Sequence, residues 1–171
     1  MKKLTPIRAS KILLIFGIGC LAFLVAFNNV ADYQSNFLFV QHVMSMDTVS
    51  PVNTLKHRAV TEPFLHSVVY ASIILCEFMT AALCLLGSLR LLKHIDSDAE
   101  MFNRAKFLSI LGLSFGFALW FFGFMVVGAE WFCMWQSPDW NGQEAAFRFV
   151  ACIILVLIYI VQDDKNEIER K

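Results

Sequence analysis

Apolar residues in this chain gather into four long runs, each interrupted by only a few polar positions. The first follows Lys11 and reads ILLIFGIGCLAFLVAF to Phe27, continuing through Asn28 toward Tyr33. The others run from about Phe64 to Leu92, from Phe107 to about Trp135, and from Ala145 to Val161. About 20 apolar residues, each rising 1.5 Å, cross the hydrocarbon core of a bilayer. The pattern therefore predicts an all-α fold: a four-helix transmembrane bundle in one domain over 1–171, with spans near 12–31, 64–92, 107–135 and 145–161. The first run is long for a cleaved leader, so it reads as a retained span.

A link from Asn29 to Pro63 is too long to lack structure of its own. Phe37, Val40 and Met44 fall at helical spacing in it. We expect a short extra helix there, on or in the outer, periplasmic face of the membrane. The last link, around Pro138-Asp139-Trp140-Asn141-Gly142, reads as a compact turn. Trp131, Trp135 and Trp140 resemble an interfacial aromatic belt.

Composition agrees with lipid. The chain is 58% hydrophobic and 16% charged, against about 45–50% and about 25% in soluble domains. Net charge is zero, with no basic stripe to suit nucleic acid. The basic residues are nonetheless segregated. Lys2, Lys3, Arg8, Lys11, Arg90, Lys93, Arg104, Lys106, Lys165, Arg170 and Lys171 flank one side of the spans, while Lys56, Arg58 and Arg148 flank the other. Basic residues stay cytoplasmic, so both termini are expected inside. Five cysteines without a CxxC read as packing residues rather than a disulfide framework.

Steps of three and four along each run pick out a polar or small-residue face. Span two gives His66, Tyr70, Ile73, Glu77, Thr80, Cys84 and Gly87; span three gives Ser109, Gly112, Gly116, Trp120, Gly123, Val127 and Glu130. Span four gives Arg148, Cys152, Leu155, Tyr159 and Gln162, and span one Gly17, Cys20 or Leu21, Leu24 and Asn28. Small residues let helices approach closely in lipid, and Gly112 and Gly116 form a GxxxG pair suited to packing within the bundle or to dimerisation.

Glu77 stands out. Counted from Phe64 it falls near the membrane midplane, where a carboxylate must find a partner or stay protonated. Trp120, Tyr159 or a backbone carbonyl could serve a neutral acid, with Tyr70 on the same face. The alternative is proton, cation or ligand handling. Glu130 and Arg148 are expected as an ion pair between spans three and four, or as contacts for a ligand at the outer mouth. On the outer side His42, Met46 and His66 combine imidazole and thioether, a donor set that suits copper, and imidazole pairs also ligate haem. No recognised ligand spacing accompanies them, and polar groups at a membrane interface are the preferred reading. Nothing in the chain forms a catalytic constellation.

The run Asp32-Tyr33-Gln34-Ser35-Asn36-Phe37, with Phe39-Val40-Gln41-His42-Val43 and Met46-Asp47-Thr48, then Pro63, His66, Tyr70 and Glu77, resembles a family of bacterial small integral membrane proteins. The resemblance covers nearly the whole chain. It implies a bacterial inner membrane and carries no activity, substrate or cofactor. Three roles therefore stand side by side: a non-catalytic subunit or accessory partner of a membrane complex, contacting lipid and other membrane subunits; a small-solute, ion or proton-coupled carrier using Glu77; and a metal or haem protein using His42 and His66.

Overall fold

The structure, a computed structural model, describes residues 6–164. It is all-helical, and four of its helical stretches are long and apolar enough to cross a membrane: Pro6–Ala31, Pro63–Lys93, Ala99–Trp131 and Gln143–Ile160. The chain runs α1 (Pro6–Ala31), α2 (Tyr33–Ser45), α3 (Pro63–Lys93), α4 (Ala99–Ala105) and α5 (Phe107–Phe117). A π-helical segment (Ala118–Trp131) continues α5, and α6 (Gln143–Ile160) completes the bundle. Lys2, Lys3, Lys165, Arg170 and Lys171, which contribute to the charge asymmetry, lie outside the described residues.

Local chemistry sets the boundaries. Pro63 opens α3, where its missing N–H would have had no partner. Asp98 caps α4 by accepting from the Met101 backbone N–H at 2.8 Å. At the other end of the bundle α2 occupies the long link and stops at Met46, which takes the left-handed conformation at φ 50° and is buried. Cys133 does the same at φ 54°, so the third span ends at Trp131 and Met134–Gln136 forms a separate turn. Left-handed backbone costs a non-glycine residue on the order of 1–3 kcal/mol. Both residues recover it by packing into one apolar cluster with Val40, Met44, Val49, Tyr70 and Phe132.

The α3 face is buried as its pattern predicts: His66, Tyr70, Glu77, Thr80, Cys84 and Gly87 all turn inward. Small residues then bring α3 against α5 and α1. A Cβ added to Gly87 would lie 2.5 Å from Ser109 Oγ, and one on Gly112 would lie 2.9 Å from the Cys84 backbone nitrogen. Gly116 faces Thr80 and Ile153, and Gly19 of α1 faces Leu85.

Two faces differ from expectation. On α1 the buried residues are Arg8, Lys11, Ile15, Ile18, Gly19, Ala22 and Ala26, while Gly17, Leu21, Leu24 and Asn28 are exposed. On α6 the core takes Ala146, Val150, Ile153, Val156 and Ile160, and Arg148, Cys152, Leu155 and Gln162 point outward. A helix in lipid is apolar all round, so the position of its few polar residues does not rank its faces. Arg148, near the start of α6, is exposed at the end of the span, where a long basic side chain reaches for the polar interface.

The third span breaks its own period. Ser109, Gly112, Gly116 and Trp120 are buried as expected, but Gly123, Val127 and Glu130 are exposed. From Ala118 the backbone bonds five residues back; the Phe132 N–H, for instance, donates to Val127 O at 3.0 Å. Each turn then holds more residues than an α-turn, and the inward positions move to Phe124 and Met125, then Gly128 and Ala129.

A candidate polar site at each end of the bundle

Asp164, four residues past α6, organises the basic end. Its Oδ2 accepts from Lys11 Nζ at 2.7 Å and lies 2.8 Å from Lys106 Nζ, while Arg8 Nε stands 3.8 Å from Oδ1. Both lysines also donate to Gln162 O at 2.7 Å. Asn103 clasps the Asp164 backbone, donating from Nδ2 to Asp164 O at 3.1 Å and accepting the Asp164 N–H at 3.0 Å. Arg8 donates to the Ile95 and Ser97 carbonyls at 2.7 and 2.6 Å and lies over the Phe102 ring. One buried carboxylate thus ties together α1, α4, the start of α5 and the end of α6. Burial opposes ionisation of Asp164, yet the hydrogen bonds and charges of Lys106 and Lys11 outweigh it and hold the carboxyl below its usual value.

Glu77 lies toward the other end. Its Oε2 accepts from Asn29 Nδ2 at 2.7 Å, and Tyr70 OH donates to Asn29 O at 2.8 Å. Tyr70 is boxed in by the rings of Tyr33 and Phe37, at 4.8 and 5.9 Å between centroids. Trp120 and Tyr159, expected beside Glu77, are elsewhere. Trp120 stacks on Phe149 at 4.6 Å. The Ser10 hydroxyl donates to Ile7 O at 2.9 Å, so Tyr159 OH donates to Ser10 Oγ at 2.8 Å, at the basic end. On α3 the 3.6-residue steps told which residues face inward, but they did not tell which spans share a level.

The helices also give the height of Glu77 above the Asp164 hub. From Lys11 in the Asp164 hub, the 18 steps of α1 to Asn29 rise about 27 Å. Along α5, the ten steps from Lys106 to Gly116, which faces Thr80, rise about 15 Å, and Glu77 lies about one turn beyond Thr80. α3 is also longer than α6. Its 31 residues span about 46 Å, while the 18 of α6 span about 27 Å.

The remaining candidates have local partners. Glu130 and Arg148 are both exposed, and among the described residues no ion pair joins them. His42 Nδ1 lies 2.7 Å from Asp47 Oδ2, and its ring stacks on Trp140 at 4.5 Å. His66 is buried, with Nε2 2.7 Å from Val60 O; a carbonyl needs a donor, so Nε2 carries the proton. That leaves Nδ1 as a buried lone pair with no hydrogen-bond partner. Met46 is buried in the apolar cluster. Among the described residues no group of three or more His, Cys, Asp or Glu side chains could hold a metal ion. The Asp164 hub was not anticipated; its one signal was an acid just past span four, among the cations of the basic end.

No curated protein and no solved structure matches this chain. A family model does, over residues 7–163, nearly the whole of the sequence and all four spans. The chain belongs to the family described as predicted small integral membrane protein (DUF2165).

Proposed function

We propose that this protein is a non-catalytic subunit or assembly partner of a membrane complex in a bacterial inner membrane, with both termini on the cytoplasmic side. The exposed apolar face of the N-terminal part of α3 carries the reading. Beyond the level of Glu77, α3 continues for 14 steps to Pro63, about 21 Å. That extension keeps the apolar face of the span below it: Phe64 is 70% exposed and Leu65 and Val68 are each 44% exposed. A contiguous exposed apolar face of this kind marks a protein or membrane interaction site. The buried carboxylates Glu77 and Asp164 spend hydrogen bonds on holding spans together. The segregation of basic residues supports the orientation.

Purification from native membranes in mild detergent tests it. A defined membrane partner should co-purify, and Phe64→Asp or Val68→Asp should release it while all four spans still insert. A chain that always purifies alone would overturn the reading.

A carrier role has one observation in its favour. The partner of Glu77 is a neutral amide, and turning that amide offers N–H to a carboxylate or C=O to a carboxylic acid. Such a carrier would lose transport in Glu77→Gln with its fold intact. A copper or haem role through His42, Met46 and His66 rests on the free lone pair at His66 Nδ1. Visible absorption and elemental analysis of the purified protein test that reading.

A further inference from the structure

At the basic end, the seam between α1 and α3 opens into a groove of about 360 Å³. Ala9, Ile12, Leu13 and Phe16 form one wall and Leu89 and Leu92 the other. Ser88 also lines it, but its hydroxyl donates to Leu85 O at 2.7 Å and offers the groove nothing. The seam closes where Gly19 meets Leu85. Ala9 to Phe16 is seven steps, so the groove is blind and about 10 Å long. A membrane helix docking here would have to follow the seam past that closure. A hydrocarbon chain entering from the membrane surface has no such demand.

Basic residues adjoin lining positions at the mouth of the groove, Arg8 before Ala9 and Lys93 after Leu92. Ile95 lines it, and the Ile95 carbonyl is held by the Arg8 guanidinium. Arg8, Lys11 and Lys106 surround a single buried carboxylate, Asp164, with the exposed Asp163 beside it in sequence, so the three cations outnumber these two acids by one. Lys93 is exposed beside Leu92 and has no partner among the described residues, while the neighbouring Asp96 is engaged in a contact of its own. We infer that this groove is a binding site for one anionic phospholipid, an acyl chain lying between α1 and α3 and the phosphate at Lys93. The inference is independent of the proposed subunit role.

Fluorescence quenching in vesicles tests it with the full chain. Phe16→Trp places a reporter in the groove, and Ile158→Trp places one on the lipid-facing side of α6 at a similar height above the hub. The vesicles are phosphatidylcholine with a minor share of chain-brominated phosphatidylglycerol. Binding should enrich the brominated lipid at Phe16→Trp about fivefold over Ile158→Trp, the increment one surface lysine provides. Lys93→Gln should remove that excess, and brominated phosphatidylcholine should show none. Leu13→Trp replaces the reporter if Phe16→Trp does not fold. Equal quenching at both positions means ordinary boundary lipid and overturns the inference. An excess that survives Lys93→Gln, or that phosphatidylcholine reproduces, overturns the assigned headgroup. Cross-linking of groove to groove between two chains would give the site to a second copy and overturn it too.

Discussion

Asn29, two residues before the end of α1, donates to the carboxylate of Glu77 in α3 at 2.7 Å. The same residue's carbonyl accepts from Tyr70, one face-length along α3. Asn29 therefore satisfies two buried α3 groups at once near the end of α1. Asn29→Ala leaves the Glu77 carboxyl without this partner and should cost about 1–3 kcal/mol. Glu77→Gln keeps a hydrogen bond in either amide orientation and should be nearly neutral. Thermal unfolding in detergent, with the double variant to read the coupling, checks both. Equal losses from the two single variants would contradict this account.

Asp164 makes stability depend on acid. Its folded pKa lies below its unfolded value, near 3.9 for a free aspartate. The contribution is therefore complete above about pH 4 and is lost as pH falls through the lower folded value. Asp164→Asn should lower stability at neutral pH by roughly 3–5 kcal/mol, since it strands buried cations. The wild-type and variant curves should converge in strong acid. Unfolding midpoints measured from pH 7 downward decide it; parallel curves would sink the prediction.

The glycines separate helix approach from helix propensity. Gly87→Ala drives a methyl into the Ser109 side chain and backbone, and Gly112→Ala meets the Cys84 backbone. Each should cost about 1–3 kcal/mol by forcing α3 from α5. Gly17 has nothing within 4 Å of an added Cβ. Gly17→Ala should be neutral or stabilise by up to about 1 kcal/mol. Unfolding in mild detergent ranks the three.

What was legible followed from the packing partners of each helix. Span two showed its buried face because α3 lies between α1 and α5, so its glycine, threonine, tyrosine and glutamate all have neighbours. The faces of α1 and α6 were hidden because Leu, Ile and Val serve lipid and core alike. Arg8 and Lys11 read as flanking charges held in water, yet they are buried against Asp164 from a distant part of the chain. Glu77 declared its importance by cost alone, whereas its partner Asn29 lay past the expected stripe of span one. Neither pairing has a local signature, because each joins residues far apart in sequence at a shared height.

The far half of span three offers the sharpest contrast between two registers. An α-helical continuation from Trp120 would bury Gly123, Val127 and Glu130; the π segment buries Gly128 and Ala129 instead, with Ala129 fully enclosed and Val127 44% exposed. A phenyl ring introduced at Ala129 must displace packed neighbours, at about 1–3 kcal/mol. The same ring at Val127 enters lipid or an open surface and should change stability by less than about 0.5 kcal/mol. Unfolding midpoints of Ala129→Phe and Val127→Phe test the register directly. The opposite ranking would show an α-helix through Trp131 and return Glu130 to the side facing α6, where its expected ion pair with Arg148 becomes possible.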